Sequence, residues 1–212
     1  MTQIKICGIT SLEDAYAAIE AGTDMLGFNF YPASPRSILL EDCARITTIL
    51  RQEFPLVTLV GVFVNMPVEH ARLILEKCSL NLAQLHGDET PAILAAFHGN
   101  AYKAFRGVPK NIFLDEFISH APMTIPALLL DASIKGFYGG SGLTADWSGA
   151  SELAKKFAIL LAGGLKPGNV ADAVGQVHPW GVDTASGVEK SPGKKDLQKM
   201  RAFVQEVRSV AQ

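Results

Sequence analysis

Short apolar runs alternate with amphipathic stretches along the whole of the chain. Each apolar run has the length and the turn-like flanks of a buried strand, and each amphipathic stretch has the spacing of a helix. The pattern predicts eight strands, and the first of them ends at Cys7. The other seven span about Met25–Phe30, Val57–Asn65, Leu82–His86, Ala101–Phe105, Ala127–Asp131, Ala158–Ala162 and Trp180–Asp183. It predicts eight helices, at about Leu12–Ala21, Leu40–Gln52, Pro67–Lys77, Glu89–Phe97, Asn111–Ser119, Ser148–Lys156, Pro167–Val174 and Lys195–Val210.

This alternation predicts a fold class. Strands that are apolar almost throughout are typical of parallel sheets that are buried on both faces. Eight such units favour an α/β fold of the (β/α)8 or TIM barrel type. Because no linker or change of composition divides the chain, residues 1–212 are predicted to form a single domain. The alternative is an open doubly wound sheet, but no G-x-G-x-x-G follows the first strand.

Composition and charge exclude several classes of partner. The chain of 212 residues is 48% hydrophobic, which is enough for a substantial core, and its formal net charge is -2. Because the chain has no excess of positive charge, neither nucleic acid nor an anionic membrane is an expected partner. No basic and apolar leader begins the chain, and no apolar run approaches the roughly 20 residues of a membrane span, so we expect a cytoplasmic protein.

The three cysteines are widely spaced, and no two of them form a C-x-x-C pair. This argues against both a disulfide framework and a structural zinc site. Cys43 and Cys78 are expected to pack in the core. Cys7 differs because it ends a strand, although it too is open to interpretation as a small buried hydrophobic residue.

Polar residues end five of the predicted strands, namely Cys7, Asn65, His86, Asp131 and Asp183. In a parallel barrel the carboxyl ends of all strands meet at one mouth, so these side chains are predicted to converge there. A barrel with a purely structural role would not need all of them. The pattern therefore predicts an active site at the mouth.

Lys5 shares a strand face with Cys7, since alternate residues of a strand point the same way. The last strand of a closed barrel lies beside the first, and a buried lysine requires a carboxylate. We therefore expect Lys5 to pair with Asp183 inside the barrel. The same ammonium is expected to lower the pKa of the Cys7 thiol.

Two glycine-bearing loops follow the seventh and eighth strands, at Ala162–Asn169 and Thr184–Glu189. Backbone N–H groups of such loops can approach a phosphate closely, and these are frequent phosphate sites in barrels. A third glycine-rich loop, Gly136–Gly142, is either a mobile lid or a flexible connection.

Three polar residues have individual candidate roles in the site, and two of them end predicted strands. Arg36 is either a solvated loop charge or a fork for a carboxylate. His86 either bonds its neighbours or contacts a ligand. Asp131 follows three leucines, and an apolar environment favours the protonated carboxyl that a general acid needs.

Eight stretches spread over almost the whole chain carry specific motifs. They are Lys5–Thr10 (KICGIT), Ser34–Arg36 (SPR), Val60–Asn65 (VGVFVN), Gln84–Gly87 (QLHG), Leu128–Asp131 (LLLD), Gly139–Trp147 (GGSG with DW), Leu161–Asn169 (LAGGL with N) and Asp183–Asp196 (DTASGVE with PGKKD). Together they resemble the phosphoribosylanthranilate isomerase family, (β/α)8 enzymes of tryptophan biosynthesis. The combination of KICGIT with SGVE-x-x-PG-x-KD is highly specific.

The resemblance implies an Amadori rearrangement of N-(5'-phosphoribosyl)anthranilate to 1-(2-carboxyphenylamino)-1-deoxyribulose 5-phosphate, with no cofactor and no metal. Asp131 would be the general acid that protonates the ribose ring oxygen, and Cys7 the general base that removes the C2 proton. Arg36 would bind the anthranilate carboxylate. His86 lies close to the site in the family pattern, without a secure role.

The resemblance also implies a set of groups that hold the phosphorylated aminosugar substrate. The backbone around Gly163, Gly164, Ser186 and Gly187 would bind its phosphate, and Asp183 is counted with the substrate-binding residues. Ala185 stands where relatives often carry a serine, which weakens the case for a side chain that binds phosphate there. The sequence leaves open whether the protein is a monomer or a homodimer.

Other functions remain as alternatives. A ribulose-phosphate epimerase would need metal-binding histidines at several strand ends, yet His86 is the only histidine at one, and an indole-forming synthase would need lysine and glutamate pairs. A binder of sugar phosphates without catalytic activity should have lost Cys7 or Asp131. Both residues are present.

Overall fold

A computed structural model describes residues 1–109, 114–120, 126–131 and 147–210 of the chain. Eight parallel strands close into a barrel in the order of the sequence, which confirms the predicted (β/α)8 fold. The strands are β1 (Gln3–Cys7), β2 (Met25–Asn29), β3 (Thr58–Phe63), β4 (Leu82–Leu85), β5 (Ala101–Arg106), β6 (Leu128–Asp131), β7 (Ile159–Ala162) and β8 (Gly181–Thr184).

A helix follows each strand. The helices are α1 (Leu12–Ala21), α2 (Leu40–Glu53), α3 (Val68–Lys77), α4 (Pro91–Ala95), α5 (Leu114–Ser119), α6 (Trp147–Ala154), α7 (Pro167–Val177) and α8 (Leu197–Val210). Ser11 caps α1 by accepting the N–H of Asp14 at 3.1 Å. Pro67 was expected at the first helical position of α3, but it is the N-cap residue.

Helix α4 is shorter than predicted because Glu89 lies in the loop before it and binds backbone N–H groups there. The Glu89 carboxylate turns inward and accepts the backbone N–H groups of Asn65 and Gly87, at 2.7 and 2.8 Å. The helix begins after Thr90, whose hydroxyl accepts the N–H of Ile93. The first residues of the predicted helix therefore form a loop.

Helix α8 begins at Leu197, whereas the sequence pattern placed its start at Lys195. Asp196 interrupts the pattern, because its carboxylate accepts the N–H groups of Gln198 and Lys199 at 3.0 and 3.1 Å. A carboxylate in this position caps a helix and faces the positive end of its dipole. Lys195 is thereby left outside the helix.

The segment between β8 and α8 contains structure that the sequence pattern did not predict. A short 3-10 turn, Ser186–Val188, leads into an antiparallel pair of strands, β9 (Glu189–Ser191) and β10 (Lys194–Lys195). The pairing places Glu189 opposite Lys195. This hairpin lies next to the mouth of the barrel and contributes to the site.

The strand register determines which side chains face the barrel interior. Residues paired across parallel strands share a face, and the register pairs Lys5 with Asp183 and Cys7 with Gly27. It likewise pairs Gln84 with Tyr102. The candidate chemistry therefore lies on the inward face, where side chains of a small barrel pack against one another.

Two apolar cores support this arrangement. The larger core lies between the barrel and its helices and includes Ile4, Ile6 and Phe28. The smaller core consists of inward-facing residues, which are Met25, Val60, Tyr102, Ala104, Leu129, Leu160 and Ala162. Lys5 is fully buried beside this inner core. No helix within the described residues is long and apolar enough to cross a membrane.

Helix α8 buries one face against the barrel, and Phe203 is fully buried on that face. We expect Phe203→Ala to lower the free energy of unfolding by about 3–5 kcal/mol, since it removes apolar contacts and leaves a cavity. Denaturant unfolding followed by circular dichroism measures the change. The matched control is Gln205→Ala on the exposed face of α8, with an expected change within about 0.5 kcal/mol. Equal effects of the two substitutions would contradict the packing described.

Candidate active site

A cavity of about 300 Å³ opens at the carboxyl ends of the barrel strands. Residues from β1, β2, β3, β4, β6, β7 and β8 line it. The predicted site residues among them are Cys7, Arg36, His86, Asp131, Gly163, Gly164, Asp183 and Ser186. The structure thus brings together the predicted site residues except Asn65 and Gly187, and Gly187 packs behind the lining against Leu165.

A buried ion pair lies at the floor of this cavity. The Lys5 ammonium contacts Asp183 Oδ1 at 2.8 Å and Gln84 Oε1 at 3.0 Å, and the lysine side chain is fully buried. Burial by itself lowers the pKa of Lys5, but the charge of Asp183 and the hydrogen bond to it raise the pKa above its usual value. The predicted pairing of Lys5 with Asp183 is confirmed, and Lys5 is a permanent cation.

As predicted, the Lys5 ammonium acts to lower the pKa of the Cys7 thiol, but the net pKa is raised and not lowered. Burial raises the pKa of Cys7 and outweighs the attraction of the Lys5 and Lys195 ammonium groups, while Asp183 raises the pKa further. Asp183 also compensates the charge of Lys5, so the thiol experiences a pair of charges and not a lone cation. Cys7 is therefore a neutral thiol near pH 7.

Gly27 provides the space that the Cys7 thiol occupies. A Cβ atom at Gly27 would lie 2.7 Å from Cys7 Sγ and 3.1 Å from Lys5 Nζ. Contacts this short are not tolerated, so a side chain on β2 would displace the thiol or the ammonium. The absence of a side chain at this point of β2 is a requirement of the site.

Asp131 and His86 stand at the ends of β6 and β4 and both line the cavity. Asp131 is half-buried. Burial lowers the pKa of His86, although the carboxylates of Asp131 and Asp183 act in the opposite direction. The cavity therefore presents an uncharged imidazole near a carboxyl group, together with an uncharged thiol on β1.

Arg36 is not a solvated charge, and its guanidinium is not fully available to a ligand. Its Nε and Nη2 atoms donate to the two carboxylate oxygens of Glu189, at 2.8 and 2.7 Å. Glu189 thus occupies the side of the guanidinium next to Nε. The other side, formed by Nη1 and Nη2, is the one that remains for a ligand, and Arg36 lines the cavity.

Glu189 and Lys195 are site residues that the sequence reasoning missed. The fully buried ammonium of Lys195 contacts Glu189 Oε1 at 3.0 Å and donates to the carbonyls of Cys7 and Ala185, at 2.6 and 3.1 Å. Burial tends to raise the pKa of Glu189, but Arg36 and Lys195 hold it below its usual value. The Glu189 carboxylate thus orients Arg36, and the Lys195 ammonium links that carboxylate to the backbone of Cys7 at the end of β1.

A signal for this pair was present in the sequence. Pro192 and Gly193 form a turn dipeptide between two residues of opposite charge, which is typical of a hairpin that brings them together. The pair also lies within the motif SGVE-x-x-PG-x-KD. The motif does not indicate that Lys195 is buried.

The loops after β7 and β8 meet at one side of the cavity. Gly163, Gly164 and Ser186 line it, and both glycines have positive φ values, 101° and 69°. Gly187 permits the two loops to touch, because a Cβ atom there would lie 1.9 Å from the carbonyl oxygen of Leu165. The Thr184 hydroxyl also donates to that oxygen, at 2.7 Å.

One predicted mouth residue, Asn65, falls outside the cavity. Asn65 was expected to converge on the mouth with the other strand ends, but its side chain accepts the N–H of Asp88 at 2.7 Å and so holds the loop before α4. Its backbone is left-handed, with φ of 51°, and this turns it away from the strand direction. The glycine-rich loop at 136–142 lies outside the described residues.

Comparison with known proteins identifies relatives over nearly the full chain. Residues 4–206 match the family model described as N-(5'phosphoribosyl)anthranilate (PRA) isomerase. A protein of Trichlorobacter lovleyi named N-(5'-phosphoribosyl)anthranilate isomerase is 47% identical over 205 residues. This match covers 96% of the present chain and 97% of the relative.

Solved structures agree with the sequence matches. The crystal structure of phosphoribosyl anthranilate isomerase from Thermotoga maritima has a TM-score of 0.86 and 38% identity, and covers 99% of this chain and 100% of that one. A further structure, of such an isomerase in complex with reduced 1-(o-carboxyphenylamino)-1-deoxyribulose 5-phosphate, has a TM-score of 0.81, 36% identity and coverage of 99% and 100%. The closed barrel, the site at its mouth and these matches place the chain in the phosphoribosylanthranilate isomerase family, to which it belongs.

Proposed function

We propose that this chain, as a single domain of residues 1–212, converts N-(5'-phosphoribosyl)anthranilate into 1-(2-carboxyphenylamino)-1-deoxyribulose 5-phosphate. This is the aminoaldose-to-aminoketose isomerisation for which its family is named. The observation that carries the assignment of roles is the presence of Cys7 and Asp131 on one cavity, beside a guanidinium. The reaction is an intramolecular isomerisation in which the ring C–O bond breaks and protons are transferred, so one acid and one base suffice.

Asp131 is the general acid in this proposal, and Cys7 is the general base. Asp131 protonates the ribose ring oxygen, which opens the ring to a Schiff base, and Cys7 then removes the proton from C2. The enolamine that forms tautomerises to the ketone. Because the thiol is mostly neutral near pH 7, the base is the minor thiolate fraction in equilibrium with it, and the raised pKa of Cys7 makes that thiolate a stronger base for the removal of a proton from carbon.

Arg36 binds the anthranilate carboxylate through the side of its guanidinium formed by Nη1 and Nη2. Glu189 fixes the plane of the guanidinium by two hydrogen bonds, so the remaining donors have a defined direction. Lys195 compensates the charge of Glu189, and the cluster of Arg36, Glu189 and Lys195 keeps one net positive charge. That charge favours an anionic ligand.

The phosphate binds between the loops after β7 and β8. Gly163 and Gly164 expose backbone there without side chains, and Ser186 begins the 3-10 turn on the opposite side. Loops in these two positions are a frequent place for phosphate in (β/α)8 barrels. Asp183 holds Lys5 at the floor below, and His86 faces the sugar.

We further propose a cytoplasmic enzyme of tryptophan biosynthesis that needs no cofactor. It acts as a monomer or a homodimer on a small phosphorylated aminosugar. A complex with a reduced phosphorylated product analogue is known for a structural relative at 36% identity, which supports this class of ligand.

The catalytic assignment predicts that Asp131→Asn lowers kcat at least about a hundredfold, because an amide cannot supply the proton, and that Cys7→Ser has a comparable effect. Loss of anthranilate-type fluorescence from freshly generated N-(5'-phosphoribosyl)anthranilate measures the rate. The matched control is Asp172→Asn, an exposed position on α7, where we expect full activity. Full activity of Asp131→Asn would remove Asp131 from its role, and an inactive wild type would favour another sugar-phosphate barrel enzyme.

The charge of Lys5 lowers the pKa of Cys7, and that of Asp183 raises it. Lys5→Met removes the first effect and leaves the second, so the pKa of Cys7 should rise further and its thiolate fraction at a given pH should fall. We expect iodoacetamide to alkylate Cys7 more slowly in this variant near pH 8, as measured by mass spectrometry of the Cys7 peptide. At a pH where the thiol is fully ionised, the rates should converge. Circular dichroism tests whether the variant is folded, and faster alkylation in a folded variant would contradict the prediction.

The phosphate assignment predicts that Gly187→Ala separates the loops after β7 and β8, since its Cβ atom would overlap the Leu165 carbonyl. We expect KM to rise about tenfold or more and competition by inorganic phosphate to weaken by a similar factor. The matched control is Gly175→Ala on α7, whose Cβ atom would meet nothing nearer than 3.8 Å. Unchanged phosphate competition in a folded Gly187→Ala variant would place the phosphate elsewhere.

A further inference from the structure

A chain of hydrogen bonds links the buried ion pair at the floor of the cavity to His86. Lys5 Nζ donates to Gln84 Oε1 at 3.0 Å, and the hydroxyl of Tyr102 contacts the same oxygen at 2.9 Å. The amide nitrogen of Gln84 lies 3.0 Å from His86 Nδ1. Lys5, Gln84 and Tyr102 are buried inside the barrel.

Lys5 determines how the Gln84 amide is oriented. An ammonium group only donates hydrogen bonds, so the atom of Gln84 that faces it must be the oxygen. Lys5 cannot become neutral to relax this requirement, because its contact with Asp183 at 2.8 Å keeps it charged. Rotation of the amide by half a turn would place its NH2 group against the ammonium, where like dipoles repel.

The orientation of Gln84 in turn determines the protonation of His86. The amide nitrogen is a donor, so His86 Nδ1 must accept, and its proton is on Nε2. A protonated imidazole would have a donor on each nitrogen and would lose this bond. Of the charged groups that act on the ring, Asp131 and Asp183 favour the imidazolium, whereas Lys5 and Lys103 oppose it, as does burial.

We propose that Gln84 is a positioning residue that holds His86 as the neutral Nε2–H tautomer, and that this N–H donates a hydrogen bond to an oxygen of the sugar. The second part rests on the proposed function. His86 is then a fixed donor and not a proton-transfer group.

Nitrogen-15 NMR of the imidazole rings of the labelled full-length chain tests the first part directly, because the two tautomers and the imidazolium have distinct ring nitrogen shifts. The chain has five histidines, and His86→Gln identifies the signals that belong to His86. We expect the Nε2–H tautomer in the wild type between about pH 7 and pH 8. An Nδ1–H tautomer or an imidazolium in that range would overturn the proposal.

Gln84→Glu replaces the donor to His86 by an acceptor of the same shape. We expect His86 to become the Nδ1–H tautomer or the imidazolium, since a carboxylate cannot donate to Nδ1. An unchanged Nε2–H tautomer in the folded variant would refute the role of Gln84. If Gln84→Glu does not fold, Gln84→Met serves in its place, and it should yield a mixture of the two tautomers.

Tyr102→Phe is the matched control, because it removes the other hydrogen bond to Gln84 Oε1 and leaves Lys5 in place. We expect this variant to retain the Nε2–H tautomer of His86. A change of tautomer in Tyr102→Phe would show that Lys5 alone does not orient the amide, which would contradict the proposal.

Kinetics test the second part. We expect Gln84→Glu to lower kcat/KM about tenfold and to make kcat depend on the protonation of His86, as seen in the pH profile. His86→Gln, which keeps an N–H donor that does not titrate, should retain more activity than His86→Leu by a similar factor. Equal activity of the two His86 variants would refute the donor role. Because the NMR result requires no turnover, a failure of the proposed reaction would be separate from a failure of the tautomer assignment.

Discussion

The buried pair of Lys5 and Asp183 is the interaction on which the rest of the site depends. It joins the first and last strands of the barrel at paired positions, where the sheet closes on itself. Two charges inside a barrel cost several kcal/mol to desolvate, and the cost is offset only when the geometry is good and the remaining hydrogen-bonding groups are satisfied. Gln84 meets that condition by accepting a hydrogen bond from Lys5. Through Gln84 the hydrogen-bonded chain continues to His86 at the mouth of the barrel.

Burial and compensation together explain the electrostatics of the cavity. The groups that can change charge near neutral pH, Cys7 and His86, are both held uncharged by burial. Two pairs of opposite charges are in contact, Lys5 with Asp183 and Arg36 with Glu189. Lys195 is an additional cation in contact with Glu189, so the excess positive charge of this cluster lies beside Arg36. An anionic substrate therefore meets a positive charge whose direction Glu189 fixes.

The sequence predicted the architecture well because parallel barrel strands have a clear signature. Their apolar runs and the helix caps, such as Ser11, depend on local residues, and strand parity together with closure was sufficient to predict the contact between Lys5 and Asp183. The effect of the Lys5 charge on the pKa of Cys7 was predicted correctly, but the net rise of that pKa was not, because burial, a property of the whole fold, outweighs the charge of a neighbour. Asn65 was misplaced because its left-handed backbone was not evident from residue type.

Other parts of the site lay beyond sequence reasoning for a similar reason. Lys195 and Glu89 both looked like ordinary first residues of helices, but each turns inward to bind backbone groups of another strand end. A pattern of polar and apolar positions records where a residue stands along the chain. It does not record that the carbonyl of Cys7 needs a donor, or that Lys195 supplies it from the other end of the sequence.

That last contact has a consequence for how the protein is made. Lys195 follows Cys7 by 188 positions, and Asp183 follows Lys5 by 178, so the base and its surroundings depend on contacts of very high sequence separation. A nascent chain emerging from the ribosome can form the early strand, loop and helix units from local contacts. Until β8 has emerged, Lys5 has no carboxylate partner, and until the hairpin that follows β8 has emerged, Arg36 has no carboxylate to orient it. The binding pocket is thus among the last parts of the barrel to form during synthesis, and it forms at the moment the barrel closes.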